Sequence, residues 1–197
     1  VRDAVKVPVI AAGGFGDGRG LAAALAYGAV GIAMGTRFLM TRESPIPDLT
    51  KARYVRAGTD DILVSTKVDG LPQRMIKNAL LDRIERSSGL GIWRRAVESG
   101  LAMKRQTGAS FAELFRAAKG MTSHGGLTLP QAMMAASAPM LIQKAVVEGD
   151  PDHGLMATGL VAGRLDDLPS CADLLAGIER DARARFAALS SSSKTGT

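Results

Sequence analysis

Val7-Pro8-Val9-Ile10-Ala11-Ala12-Gly13-Gly14 and, about twenty residues on, Ala29-Val30-Gly31-Ile32-Ala33-Met34-Gly35-Thr36 decide how this chain is read. Each is a short apolar run that ends in a glycine-bearing turn. Uninterrupted apolar runs of this length, bounded by turn residues, predict strands buried on both faces. Between them Asp17 reads as an N-cap and Gly18–Tyr27 as a helix with Leu21, Ala24 and Leu25 on one face. Gly28 supplies the left-handed residue that ends it. The small side chains of Ala22, Ala23, Ala24 and Ala26 allow close packing against a sheet. Strand, helix and strand at this spacing predict a parallel pair joined by a right-handed crossover, hence an α/β fold.

Beyond Phe38 the texture changes. Thr41–Asp48, with Pro45 and Pro47, reads as a loop, followed by a helix around Leu49–Ala57 that Gly58 stops. Ile62–Val68 is β-prone and bounded by Asp69-Gly70 and Pro72. From Gln73 the apolar residues Met75, Ile76, Ala79, Leu80 and Ile84 recur with a helical period. Further helices are expected over 93–104, 111–119 and 129–147, the last broken in two by Pro139. Gly149-Asp150-Pro151-Asp152 is a turn, and a final helix is expected over Cys171–Ala188. The serine-rich tail 190–197 has nothing to bury and is expected to be disordered.

Composition narrows the function classes. The 197 residues are 46% apolar and 22% charged, ordinary for a globular protein, with no apolar stretch long enough for a membrane span. The chain starts at Val1 inside a strand-like segment and without a signal-peptide pattern, so a partial sequence is expected, with the cytoplasm as its compartment. Cys171 is the single cysteine, which leaves no disulfide framework and no cysteine metal site within the chain. The net charge of +6 is uneven: residues 51–120 hold 14 Lys/Arg against 7 Asp/Glu. Such a segment attracts an anionic substrate or simply decorates solvated helix faces. With aromatic residues at 4%, nucleic-acid binding has little support.

The chemistry starts at the glycine turns. Backbone N–H groups converge on a phosphate where no Cβ blocks approach. Gly13 and Gly14 would donate from the first turn, and Gly35 and Thr36 from the second, the Thr36 hydroxyl adding one more bond. The competing reading is that these glycines only permit tight strand-to-helix turns. In a (β/α)8 barrel, the loops after the last two strands commonly hold such a phosphate. Gly18-Arg19-Gly20-Leu21-Ala22-Ala23 also fits G-x-G-x-x-A, but it begins inside the expected helix and lacks the acidic residue at the end of a second strand. A dinucleotide fold is therefore rejected.

The run Val7–Gly20, followed by Ala29–Phe38, resembles the nitronate monooxygenase (2-nitropropane dioxygenase-like) flavoprotein family, which includes flavin-dependent enoyl-thioester reductases. The resemblance implies the C-terminal part of a TIM (β/α)8 barrel holding FMN, with a small, mainly helical domain inserted. Residues 1–48 would carry the last two barrel strands, 49–150 the inserted domain and 151–189 the return segment and last barrel helix. Gly13, Gly14, Gly35 and Thr36 would cradle the FMN phosphate. Gly154-Leu155-Met156-Ala157-Thr158-Gly159 resembles the family's Met-Ala-Gly-Gln run near the flavin, with Thr158 and Gly159 in place of its Gly-Gln.

The family's catalytic histidine falls on an earlier segment, so no catalytic residue is assigned within this chain. His124 and His153 read as loop residues with a secondary claim as substrate contacts, and Cys171 as helix packing. Arg37 reads as a strand anchor held by a carboxylate. The expected function is an FMN-dependent oxidoreductase acting on a nitronate or a CoA-type thioester, with NAD(P)H a candidate electron partner. A flavin-free barrel enzyme that binds a phosphorylated substrate, or a non-catalytic remnant, are the alternatives. No metal is expected.

Overall fold

Asp17 opens the first helix as expected: its carboxylate accepts from the amides of Arg19 (3.0 Å) and Gly20 (3.2 Å). The computed structural model describes residues 1–87, 101, 116 and 129–192. Strand β1 (Ile10–Ala12), helix α1 (Gly18–Ala26) and strand β2 (Gly31–Ala33) form the βαβ unit, closed by Gly28 at φ +83°. β1 and β2 pair in parallel, with Ile10 opposite Gly31, Ala11 opposite Ile32 and Ala12 opposite Ala33. A four-residue helix, α2 (Thr36–Leu39), follows at once, and α3 (Asp48–Arg56) comes after the proline loop.

The chain divides into two compact units. The first comprises Val1–Pro45, Tyr54–Thr59 and Gly159–Thr197, and the second Ile46–Arg53 and Asp60–Thr158. In the first, α1 packs against α6 (Cys171–Ser192). Gly18 makes that approach possible: a Cβ there would lie 2.5 Å from the Ile178 carbonyl oxygen and 2.7 Å from the Ala182 nitrogen. α6 extends past the expected Ala188 into the tail that was expected to be disordered. The Ser190 hydroxyl donates to the Phe186 carbonyl (2.9 Å) and that of Ser191 to the Ala188 carbonyl (2.9 Å), so these serines extend the helix to Ser192. Residues 193–197 lie outside the described residues.

The strand pair is less covered than its apolar runs predict. Ile10 is 63% and Val30 62% exposed, because among the described residues the pair is a sheet of two strands only. The apolar run correctly signals a strand; burial on both faces needs neighbours that these residues do not supply.

In the second unit, β3 (Ile62–Ser65) and β4 (Gln73–Ile76) form an antiparallel hairpin. The helical period expected from Gln73 therefore gives way to a strand. Asp69 accepts from the Leu71 amide (3.0 Å) and Gly70 takes φ +83°, which turns the chain back on β3. The Ile76 amide donates to the Met156 carbonyl (3.0 Å) and that of Thr158 to the Arg74 carbonyl (2.9 Å), adding a short third rung. Pairing on both sides overrides a four-residue stretch of ambiguous period. α4 (Ala79–Glu85) starts only after Asn78, whose side chain accepts from the Leu81 amide (2.8 Å) and donates to the carbonyls of Pro151 and Gly154.

α5 (Leu129–Val146) is one helix rather than two. Pro139 sits on its exposed face between buried Ala138 and Ala145, so packing on either side holds the helix through the lost hydrogen bond. Val68, Met75, Leu81, Ile84, Ala138 and Leu155 form the core of this unit. The helices expected over 93–104 and 111–119 lie outside the described residues, except Leu101 and Arg116, each helical.

Candidate functional site

The register of β1 and β2 sets the site. With Ala12 level with Ala33, the turn that begins at Gly13 lies beside the one that begins at Met34. Adjacent strands are about 4.8 Å apart, so Gly13-Gly14 and Gly35-Thr36 emerge side by side at one end of the pair. Gly13 (φ +93°) and Gly14 (φ +80°) require the left-handed backbone that glycine adopts without strain. Gly35 does not: its φ is −81°, open to any residue. What the three share is space, since a Cβ at Gly13, Gly14 or Gly35 would meet no atom within 4 Å. Glycine at position 35 thus has no role in the backbone conformation, and it keeps the amide approachable.

Thr36 joins this pair of turns to Gly159, where the chain returns to the first unit. Its hydroxyl accepts from the Gly159 amide at 2.9 Å, and a Cβ on Gly159 would come within 3.2 Å of that oxygen. An accepting hydroxyl keeps its own proton to donate. Gly159 is also the N-cap of a 3-10 turn, Leu160–Arg164, which lies against the first glycine turn: a Cβ on Gly16 would press within 3.0 Å of Val161 and 3.2 Å of Leu165. Three backbone turns therefore meet within the first unit. The first glycine turn and the Leu160–Arg164 turn border a concavity of about 380 Å3 whose lining includes Gly14, Gly16, Asp17, Arg19, Arg164 and Leu165.

Next to Thr36, Arg37 is anchored by a carboxylate as its position predicts. It is 3% exposed and its Nη1 donates to Asp167 Oδ1 at 2.7 Å, while its buried Nε has no hydrogen-bond partner. Further ties bind the return segment to residues 41–43: the Arg42 amide to the Pro169 carbonyl (3.0 Å), Arg42 Nε to the Leu168 carbonyl (3.1 Å), and the Cys171 amide to both oxygens of Glu43 (2.9 and 3.0 Å). The Cys171 amide, at the start of α6, holds the Glu43 carboxyl below the usual carboxylate range. Cys171 Sγ lies 3.6 Å from the Thr41 hydroxyl, a helix-start packing contact.

His153 belongs to the second unit, where its Nδ1 lies 3.0 and 3.1 Å from the two oxygens of Asp150. That contact lowers the Asp150 pKa. His124 lies outside the described residues. Among the described residues no group of three or more His, Cys, Asp or Glu is placed to hold a metal ion, and no helix is long and apolar enough to cross a membrane. The sequence predicts both glycine turns, but it gives no sign that Asp167 pairs with Arg37 or that Arg164 lines a concavity with Gly14. Neither stands in a motif; their places follow from the path of the chain after Gly159.

The profile of the nitronate monooxygenase family matches residues 1–181. A Rhodococcus jostii protein named (3aS,4S,5R,7aS)-5-hydroxy-7a-methyl-1-oxo-octahydro-1H-indene-4-carboxyl-CoA dehydrogenase is 47% identical over 189 residues, covering 96% of this chain and 54% of its own length. A probable nitronate monooxygenase of Staphylococcus saprophyticus is 39% identical over 82 residues, 42% of this chain and 23% of that protein. Among solved structures, FabK from Thermotoga maritima superposes with a TM-score of 0.64 at 26% identity, over 97% of this chain and 49% of the FabK chain. The chain spans about half the length of two curated relatives it matches along most of its own length, at 54% and 52%. With the βαβ unit and its paired glycine turns, these matches establish that the chain belongs to the nitronate monooxygenase family of oxidoreductases.

Proposed function

We propose that the chain is the FMN-phosphate-binding part of a flavin-dependent oxidoreductase that acts on a CoA-type thioester. The observation that carries the cofactor is the set of open positions at Gly13, Gly14 and Gly35 beside the Thr36 hydroxyl. A Cβ-free approach, neighbouring N–H donors and one hydroxyl suit a phosphate monoester, and charge-assisted bonds of this kind contribute roughly 1.5–3 kcal/mol each. In this reading β1 and β2 are the last two strands of a (β/α)8 barrel, residues 49–150 the inserted domain, and α6 the returning barrel helix. When bound, FMN would supply the redox chemistry, a two-electron exchange between the substrate and a nicotinamide or oxygen. The chain's own part is to bind the phosphate end and fix the cofactor's position. Arg37–Asp167 and Thr36–Gly159 hold the second turn in place while it does so.

The thioester is favoured over the nitronate by two observations. The relative matched over 96% of this chain bears the name of a CoA-ester dehydrogenase. The excess of basic residues over 51–120 also suits a substrate whose coenzyme A carries several phosphate charges. The nitronate reading rests on the family profile and the shorter matches. In the intact protein, a flavin absorbance band and loss of that band on anaerobic addition of an acyl-CoA are expected. Oxygen uptake driven by a nitronate but by no thioester would transfer the assignment to the second reading. A colourless protein that takes up no added FMN would overturn both.

A further inference from the structure

We infer that Arg164 is the side-chain cation of the phosphate site, a role that rests on the FMN reading above and adds to it. A phosphate monoester carries close to two negative charges near neutral pH. The donors on Gly13, Gly14, Gly35 and Thr36 are all uncharged, so a dianion held by them alone lacks a counter-charge. The concavity that Gly14 borders is lined by two arginines, Arg19 and Arg164, and by one carboxylate residue, Asp17. Arg19 is already committed: its Nε and Nη2 both donate to Asp17 Oδ2, at 2.8 and 2.5 Å. Arg164 is exposed and is left to meet an anion.

The backbone places Arg164 for this. It ends the Leu160–Arg164 turn, whose N-cap amide is bonded to Thr36 Oγ1, so the second glycine turn and the arginine share one support. Ala162 is fully buried at the centre of that turn, and a Cβ on Gly163 would fall 2.4 Å from the Thr59 nitrogen. The turn is therefore clamped on two sides, and its arginine projects from a fixed base beside Gly14. The ligand class is a phosphate monoester on a larger organic group. Arg164 would distinguish FMN from riboflavin.

The test uses the intact protein stripped of flavin and titrated with FMN and with riboflavin. Arg164→Gln is expected to raise the FMN Kd about tenfold to a hundredfold, to leave the riboflavin Kd unchanged, and to flatten the dependence of FMN binding on salt. Arg164→Lys should restore part of the loss. Arg180→Gln removes the same charge from an exposed position on α6, where Arg180 contacts only its neighbour Asp181 among the contacts seen, and should behave as the parent. If Arg164→Gln weakens FMN and riboflavin equally, the residue acts through the fold and the inference fails. It fails too if the variant keeps the parent's preference for FMN. A parent protein that binds riboflavin as tightly as FMN would instead overturn the phosphate cradle itself.

Discussion

Arg37 and Gly35 sit two residues apart and carry opposite kinds of commitment. Arg37 is a buried charge whose one charged partner among the described residues, Asp167, is itself 59% exposed. Removing Asp167 leaves the guanidinium buried without its counter-charge, but Asp167 is half in solvent, so Asp167→Asn is expected to cost roughly 1–2 kcal/mol, between an exposed pair and a fully buried one. Urea unfolding would read this as a lower midpoint at unchanged slope, and a loss under about 0.5 kcal/mol would contradict it. The paired variant Arg37→Met/Asp167→Asn should lose less than Asp167→Asn alone, because the stranded charge goes with it. Gly35→Ala should do the reverse. Its φ of −81° suits alanine and open space receives the methyl group, so folding stability should hold or rise by a few tenths of a kcal/mol. FMN binding should nevertheless weaken at least tenfold, because the methyl group occupies the approach to the amide. Equal FMN affinity for the two proteins would show that no ligand comes close at Gly35.

At the scale of elements, the N-terminus of α6 offers the clearest titration. The Cys171 amide donates to Glu43, whose ordinary carboxyl value of 4.5 is lowered in the folded chain. A lowered folded value means that the unfolded chain binds more protons in acid. The stabilisation is then complete above about pH 4.5 and is lost as the pH falls through the folded value. Asp17 adds to this: burial pushes its carboxyl up, but bonds from Arg19 and from the Gly20 amide outweigh that and leave it below 3.8. Thermal unfolding should therefore occur at progressively lower temperature below pH 4.5, and Glu43→Gln should make that decline shallower. An unchanged acid profile in the variant would remove Glu43 from the account.

These same elements show what a sequence conveys. Asp17 and Gly28 are local signals that act within a few residues, and both occur where the sequence places them. β4 and the unbroken α5 depend on partners far along the chain: the carbonyl of Met156 for one, and for the other Thr50, whose hydroxyl donates to the Ala145 carbonyl (2.6 Å). At the candidate site, the two glycine turns are legible because turn chemistry is local, while their role toward a phosphate belongs to the proposal. The bond from Gly159 to Thr36 spans 123 residues, so only the fold reveals it.

Across the whole molecule, the first unit combines a well-anchored return segment with a bare strand pair. Val7, Ile10 and Val30 are each more than 60% exposed, and the outward groove beside β1 and α1 is lined by Val9, Ala11, Phe15, Ala23 and Tyr27. Three exposed apolar side chains in or just before the two strands, which have no further strand beside them among the described residues, make a surface that soluble proteins normally cover. The tie of α1 to α6 through Gly18 leaves it open, because Ala23, which lines the groove, lies about 140° around α1 from Gly18. These 197 residues expressed by themselves should therefore self-associate, with a sedimentation coefficient that rises with concentration and dye binding typical of exposed apolar surface. Ile10→Lys together with Val30→Lys should suppress both effects while leaving the α1–α6 packing and its helical signal intact, since neither side chain contributes to that interface. A concentration-independent monomer in the parent chain would contradict the argument, as would association undiminished by the two lysines.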